Sequence, residues 1–137
     1  MFQGSMVALI TPMTIAGDVD NEALEALIAF HIENKTDVIV AMGTTAESAT
    51  FTHKEHRAVT RQIINLVGGR IPVIAGTGSN STIEAVDASR DAKDDGADGV
   101  LLVSPYYNKP PQEGLYQHHK LIAKEVAIPQ VLYNVPG

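Results

Sequence analysis

Short uncharged apolar runs recur along this chain. Each breaks into a polar loop and is followed by a longer segment whose apolar residues return every three or four positions. The runs are Ser5–Ile10, Val38–Met42, Pro72–Ala75, Gly99–Val103 and Gln130–Tyr133. Runs of this length that end in glycine or a polar turn predict buried strands. The segments between them predict amphipathic helices. Asp20 or Asn21 caps the first helix, which carries Leu24, Leu27, Ile28 and Ile32 and ends at Asn34. Thr52-x-x-Glu55 is a capping box for the second, which carries Val59, Ile63, Ile64 and Val67 and stops at Gly68-Gly69. Ser81-x-x-Glu84 opens the third, running to about Asp95 with Gly96 as its stop. The fourth places Leu115, His118, His119, Ile122, Ala123 and Val126 on one stripe.

Each strand–helix unit is near the ~30 residues that a βαβ element needs. Strands apolar throughout, alternating with helices, predict a parallel sheet. Two α/β architectures satisfy this pattern. One is a doubly wound open sheet; the other is the N-terminal part of a (β/α)8 TIM barrel, with about five strands and four helices. The absence of a helix after the last strand favours the partial barrel. No linker or low-complexity stretch interrupts residues 1–137, so one domain without an internal boundary is expected.

The 137 residues carry a net charge of −6 and no basic block, which argues against a nucleic-acid surface. There is no cysteine, hence no disulfide framework and no thiol nucleophile. The apolar N-terminus lacks a charged leader region and is too short to span a bilayer, so a soluble, cytoplasmic protein is expected.

Ligands of parallel α/β folds bind at the carboxyl ends of the strands. Hydroxyls crowd there: Thr11; Thr44, Thr45 and Ser48; Thr77 and Ser79; Ser104, Tyr106 and Tyr107; and Tyr133. Glu47 is the one carboxylate among them. This predicts a site for a small polar ligand with proton transfer through hydroxyls, and neither a metal nor a cofactor is expected. Gly76-Thr-Gly78 is not a dinucleotide fingerprint, because the third glycine position is Ser81. Each residue also has a plainer reading. Thr44 and Thr45 suit turn and cap hydroxyls, Tyr106 and Tyr107 suit a packed loop or an interface, and Tyr133 suits a strand end. His53 and His56 suit a solvated first turn, His118 and His119 suit packing, and Glu84 suits its capping box.

Taken together, GTTAES, AGTGSNST, SPYYNKPPQEGLYQHHK and LYNVPG, in this order and spacing, resemble the dihydrodipicolinate synthase family of pyruvate-dependent class I aldolases. The resemblance implies the partial TIM barrel. It implies a lyase that condenses pyruvate with aspartate β-semialdehyde through a Schiff base in lysine biosynthesis. It assigns Thr44, Tyr107 and Tyr133 to a catalytic proton relay, with Tyr107 reaching a neighbouring subunit's site, and Thr45 to the pyruvate carboxylate. It assigns Ser48, Ala49, His53, His56, Asn80, Glu84 and Tyr106 to an inhibitory L-lysine site at the interface of a homo-oligomer, dimer or tetramer. Ala46 stands where the family has glycine, so strain or displacement of that loop is expected. The Schiff-base lysine and a substrate-binding arginine are expected beyond Gly137. The 137 residues alone are therefore expected to be inactive and, with two open sheet edges, to associate. Another 2-keto acid aldolase, or a non-catalytic lysine-binding or assembly module, are the competing expectations.

Overall fold

The computed structural model describes residues 2–135. Met1 and the Pro136-Gly137 end of the LYNVPG motif lie outside the described residues. Five strands, β1 (Met6–Ala8), β2 (Val38–Ala41), β3 (Val73–Gly76), β4 (Gly99–Val103) and β5 (Gln130–Tyr133), form one sheet in the order β1-β2-β3-β4-β5. Every pairing is parallel. The helices are α1 (Asn21–Glu33), α2 (His53–Val67), α3 (Thr82–Asp94) and α4 (Gln112–Glu125).

Strand order decides between the two predicted architectures. A doubly wound sheet reverses direction at a switch point. Here the order never reverses, and right-handed crossovers then place every helix on the same face. Successive helices pack on one another as a single layer. The result is the half-barrel arrangement, with a convex helical face and a concave face.

The core lies between sheet and helices. Leu24, Ile28, Ile39, Ile63 and Val67 are almost wholly buried in one cluster; Val100, Leu102 and Ile122 anchor a second. Each such side chain contributes about 1.5–3 kcal/mol of burial energy. The outer strands β1 and β5 expose Met6, Val131 and Leu132, whereas β3 is buried along its whole length.

Helix ends follow their caps. Asp20 Oδ1 accepts from the Ala23 N–H at 3.0 Å, and Asn34 closes α1. Thr52 and Glu55 form the full reciprocal box, and Gly68 ends α2 in the left-handed region at φ 58°. The expected box at Ser81 is only half formed. Ser81 accepts from the Glu84 N–H, but the Glu84 carboxylate turns to the Ser79 hydroxyl at 2.7 Å, and Ser79 Oγ serves the Ser81 N–H instead. α4 starts after Pro111 without a side-chain cap, and Ala123 of its predicted stripe is exposed.

Three strands differ from expectation at their ends. β1 stops at Ala8, before the chain turns into a short antiparallel bridge between Met13 and Val19. Met42 leaves β2 because its backbone turns to φ 52°. β3 is shifted by one residue, from Val73 to Gly76; Pro72 has no N–H to give the ladder.

Candidate functional site

An open cleft of about 810 Å³ lies at the carboxyl ends of the strands. The turn after β2 forms one wall. It comprises two short 3-10 turns, Thr44–Ala46 and Ser48–Thr50, with Glu47 between them at φ 59°. Gly76 lets this wall approach: a Cβ there would stand 2.3 Å from the Met42 carbonyl oxygen. Gly78 does the same for β4, where a Cβ would meet the Val103 nitrogen at 2.4 Å. The two glycines of the GTG segment thus serve backbone packing.

The turn is also held from β1. Thr11, buried just past that strand, donates its hydroxyl to the Ala46 carbonyl at 2.9 Å. Ala46 itself is buried within a right-handed 3-10 turn and is not among the residues with positive φ. The strain expected from a Cβ at this position is therefore absent; the left-handed residue is its neighbour Glu47.

The cleft brings together much of the set assigned by resemblance. Thr44 and Tyr133 line it, as do Ser48, Ala49, His53, His56, Asn80, Glu84 and Tyr106. Thr45 and Tyr107 are exposed and lie outside its lining. Thr44 and Thr45 do lie in a turn, the 3-10 turn Thr44–Ala46, but neither caps it: its N-cap is Gly43, and no side chain serves as a cap.

Electrostatics divide the cleft. His53, His56 and Glu84 also line a smaller cavity of about 250 Å³ between α2 and α3, together with Asp87, Asp91 and Asp95. Arg57 lines it as well, and arginines pair with Asp87, Asp91 and Asp95, so Glu84 is the lining carboxylate without an ion pair among the described residues. Asp95 is held by Arg61 at 2.8 Å, and Asp91 by Arg57 at 2.8 Å. His56 is not the solvated residue predicted from its place in the first turn. Burial keeps its imidazole below the ordinary histidine value; hydrogen bonding to the Met42 and Gly76 backbone works in the opposite direction, and His53 adds to the lowering.

His118 and His119 do pack, edge to face with ring centroids 5.0 Å apart. His118 Nδ1 meets the Thr82 hydroxyl at 2.8 Å. Burial, then the neighbouring His119, hold His118 below its usual pKa. Among the described residues, no group of three or more His, Asp or Glu could hold a metal ion, and no helix is long and apolar enough to cross a membrane.

Two connections escaped the sequence. Thr11 was visible as a hydroxyl at a strand end, but its bond to Ala46 joins residues 35 apart. Asn80 Oδ1 accepts the Tyr106 N–H at 2.9 Å across 26 residues. Local spacing carries no signal for either.

A parallel β/α half-barrel with a hydroxyl-rich cleft at its strand ends defines a protein of the TIM-barrel class. The sequence profile of the "Dihydrodipicolinate synthetase family" matches residues 1–137, and the chain belongs to that family. It is 61% identical to the 4-hydroxy-tetrahydrodipicolinate synthase of Saccharophagus degradans, over 100% of this chain and 47% of that protein. The crystal structure of the chloride-inhibited dihydrodipicolinate synthase from Acinetobacter baumannii complexed with pyruvate superposes with a TM-score of 0.98 at 56% identity, covering 100% of this chain and 47% of that one. The enzyme from Cyanidioschyzon merolae with lysine bound gives 0.94 at 45% identity, covering 99% and 47%. The chain spans about half the length of the curated relatives it matches.

Proposed function

We propose that these residues supply the hydroxyl relay and the effector-binding face of a 4-hydroxy-tetrahydrodipicolinate synthase. This lyase condenses pyruvate with aspartate β-semialdehyde, in the cytoplasm, and L-lysine inhibits it. The observation that carries this reading is the single cleft shared by Thr44, Tyr133 and the acidic face around Glu84. A tyrosine hydroxyl, with a pKa of about 10, is protonated at neutral pH and can pass and recover a proton through a threonine hydroxyl beside it. Tyr107 points into solvent from its own chain, which suits a residue delivered to a second copy's cleft in a homo-oligomer. Thr45, on the same turn as Thr44, is assigned to the pyruvate carboxylate.

The Schiff-base amine is not assigned to these residues. All six lysines (Lys35, Lys54, Lys93, Lys109, Lys120 and Lys124) are exposed, and none lies in a strand. A lysine amine becomes a nucleophile when desolvation or a neighbouring cation activates it, and exposed positions outside the strands supply no desolvation. Borohydride reduction in the presence of pyruvate, followed by intact mass, is expected to leave the 137-residue chain unmodified; a pyruvate adduct would overturn this assignment. Calorimetry is expected to show L-lysine binding that Glu84→Gln weakens, and no heat from L-lysine would count against the effector face. A non-catalytic lysine-binding module is favoured instead if L-lysine binds while the relay hydroxyls prove dispensable for turnover.

A further inference from the structure

Among the described residues, five non-glycine residues have positive φ, and four of them lie in the loops at the cleft end of the sheet: Met42, Glu47, Tyr107 and Lys109. Side chains are disfavoured there because Cβ crowds the backbone. Such a conformation persists only when surrounding contacts impose it. Met42 is imposed by its burial in the core. Tyr107 has no such support, being 92% exposed.

The restraint on Tyr107 comes from one residue earlier. The Tyr106 N–H donates to Asn80 Oδ1 at 2.9 Å, and the Asn108 N–H closes a tight turn onto the Tyr106 carbonyl at 2.5 Å. A backbone N–H can only donate, so the carboxamide must present its oxygen to it. Asn80 is itself held. Ser79 Oγ bonds Glu84 and receives the Ser81 N–H, and Ser81 caps α3. Hydrogen bonds thus hold the residues on either side of Asn80 at the start of α3, and Asn80 links that segment to the backbone beside Tyr107.

We propose that Asn80 is a positioning residue for Tyr107, holding the Tyr106–Tyr107 turn in its left-handed conformation by accepting the Tyr106 N–H. Its importance for chemistry rests on the relay assigned to Tyr107 above. The resemblance assigned Asn80 to ligand contact; this role belongs to its oxygen and needs no ligand.

The test is NMR of the 15N-labelled 137-residue chain with Asn80→Ala and Asn80→Asp. In Asn80→Ala the Tyr106 amide is expected to exchange about 3- to 10-fold faster, the yield of one lost hydrogen bond. Tyr107 is expected to lose the strong amide-to-Hα nuclear Overhauser effect that marks a positive φ. Amides of β2 and β3 are expected to stay unchanged. Asn80→Asp keeps an acceptor oxygen and is expected to restore both signals. Unchanged signals in Asn80→Ala would overturn the proposal. So would an Asn80→Asp chain that behaves like Asn80→Ala. Neither readout uses lysine or pyruvate, so failure of the proposed function would leave the clamp standing, and failure of the clamp would leave the calorimetric result untouched.

Discussion

Met42 and Tyr107 have the same backbone angle, φ 52°, in loops two strands apart. Met42 is 1% exposed and Tyr107 is 92% exposed. The first pays its strain inside the core, where packing exceeds the roughly 1–2 kcal/mol that a left-handed residue costs. The second rests on two surface hydrogen bonds, from the Tyr106 N–H and the Asn108 N–H, each worth about 0.5–1.5 kcal/mol, so gain and cost are of the same order. The loop after β2 is therefore a fixed wall of the cleft. The loop after β4 is held at the surface and is the more marginal of the two.

Substitutions should separate the two loops in a definite order. Met42→Gly relieves the strain but empties a core position, and is expected to destabilise by about 2–4 kcal/mol net. Gly76→Ala presses a methyl onto the Met42 carbonyl and is expected to cost about 1–3 kcal/mol. Thr11→Val leaves the buried Ala46 carbonyl without its donor, again about 1–3 kcal/mol. Urea unfolding followed by circular dichroism checks all three; a loss below about 0.5 kcal/mol in any of them would mean that the β2 loop is not rigidly held. Tyr107→Asn loses no packing and places a left-handed-tolerant residue in the turn, so stability is expected to stay level or rise by up to about 1 kcal/mol. A clear destabilisation would show that Tyr107 is supported within its own chain.

A further check lies away from both loops, at the α3–α4 packing. The folded-state pKa of His118 is lowered, so the unfolded chain takes up a proton first as pH falls. Stability from this residue is present above its unfolded pKa of about 6.5 and is lost as pH drops toward the folded value. His118→Phe is expected to flatten the fall in urea midpoint between pH 7 and 5. An unchanged slope would show that His118 plays no part in acid sensitivity.

The fold was legible because its signals are local. The Asp20 and Thr52 caps, the Gly68 stop and the apolar runs of β4 and β5 all stand where periodicity put them. Strand order was not local, and it decided between open sheet and barrel. The candidate site was legible as a collection of loops, because hydroxyls at strand ends announce themselves by position. Its wiring was not. The second half of the Ser81 box is missing because Ser79 intervenes, accepting the Ser81 N–H and donating to Glu84. His56 read as solvated because one-dimensional spacing does not show that its ring lies near the Met42 and Gly76 backbone. Thr45 and Tyr107, assigned by resemblance, lie outside the cleft lining, and local spacing carries no sign of that.

Thr44 and Tyr133 are proposed as the proton-relay groups of a pyruvate-dependent lyase. The most direct measurement mixes this chain with the part of the Saccharophagus degradans synthase that lies outside its match, and follows condensation of pyruvate with aspartate β-semialdehyde. Turnover is expected to require both polypeptides, and such a relay requires kcat to fall about 10²-fold or more in Thr44→Val and Tyr133→Phe while L-lysine still binds. An assembled complex whose kcat is untouched by either substitution would contradict it.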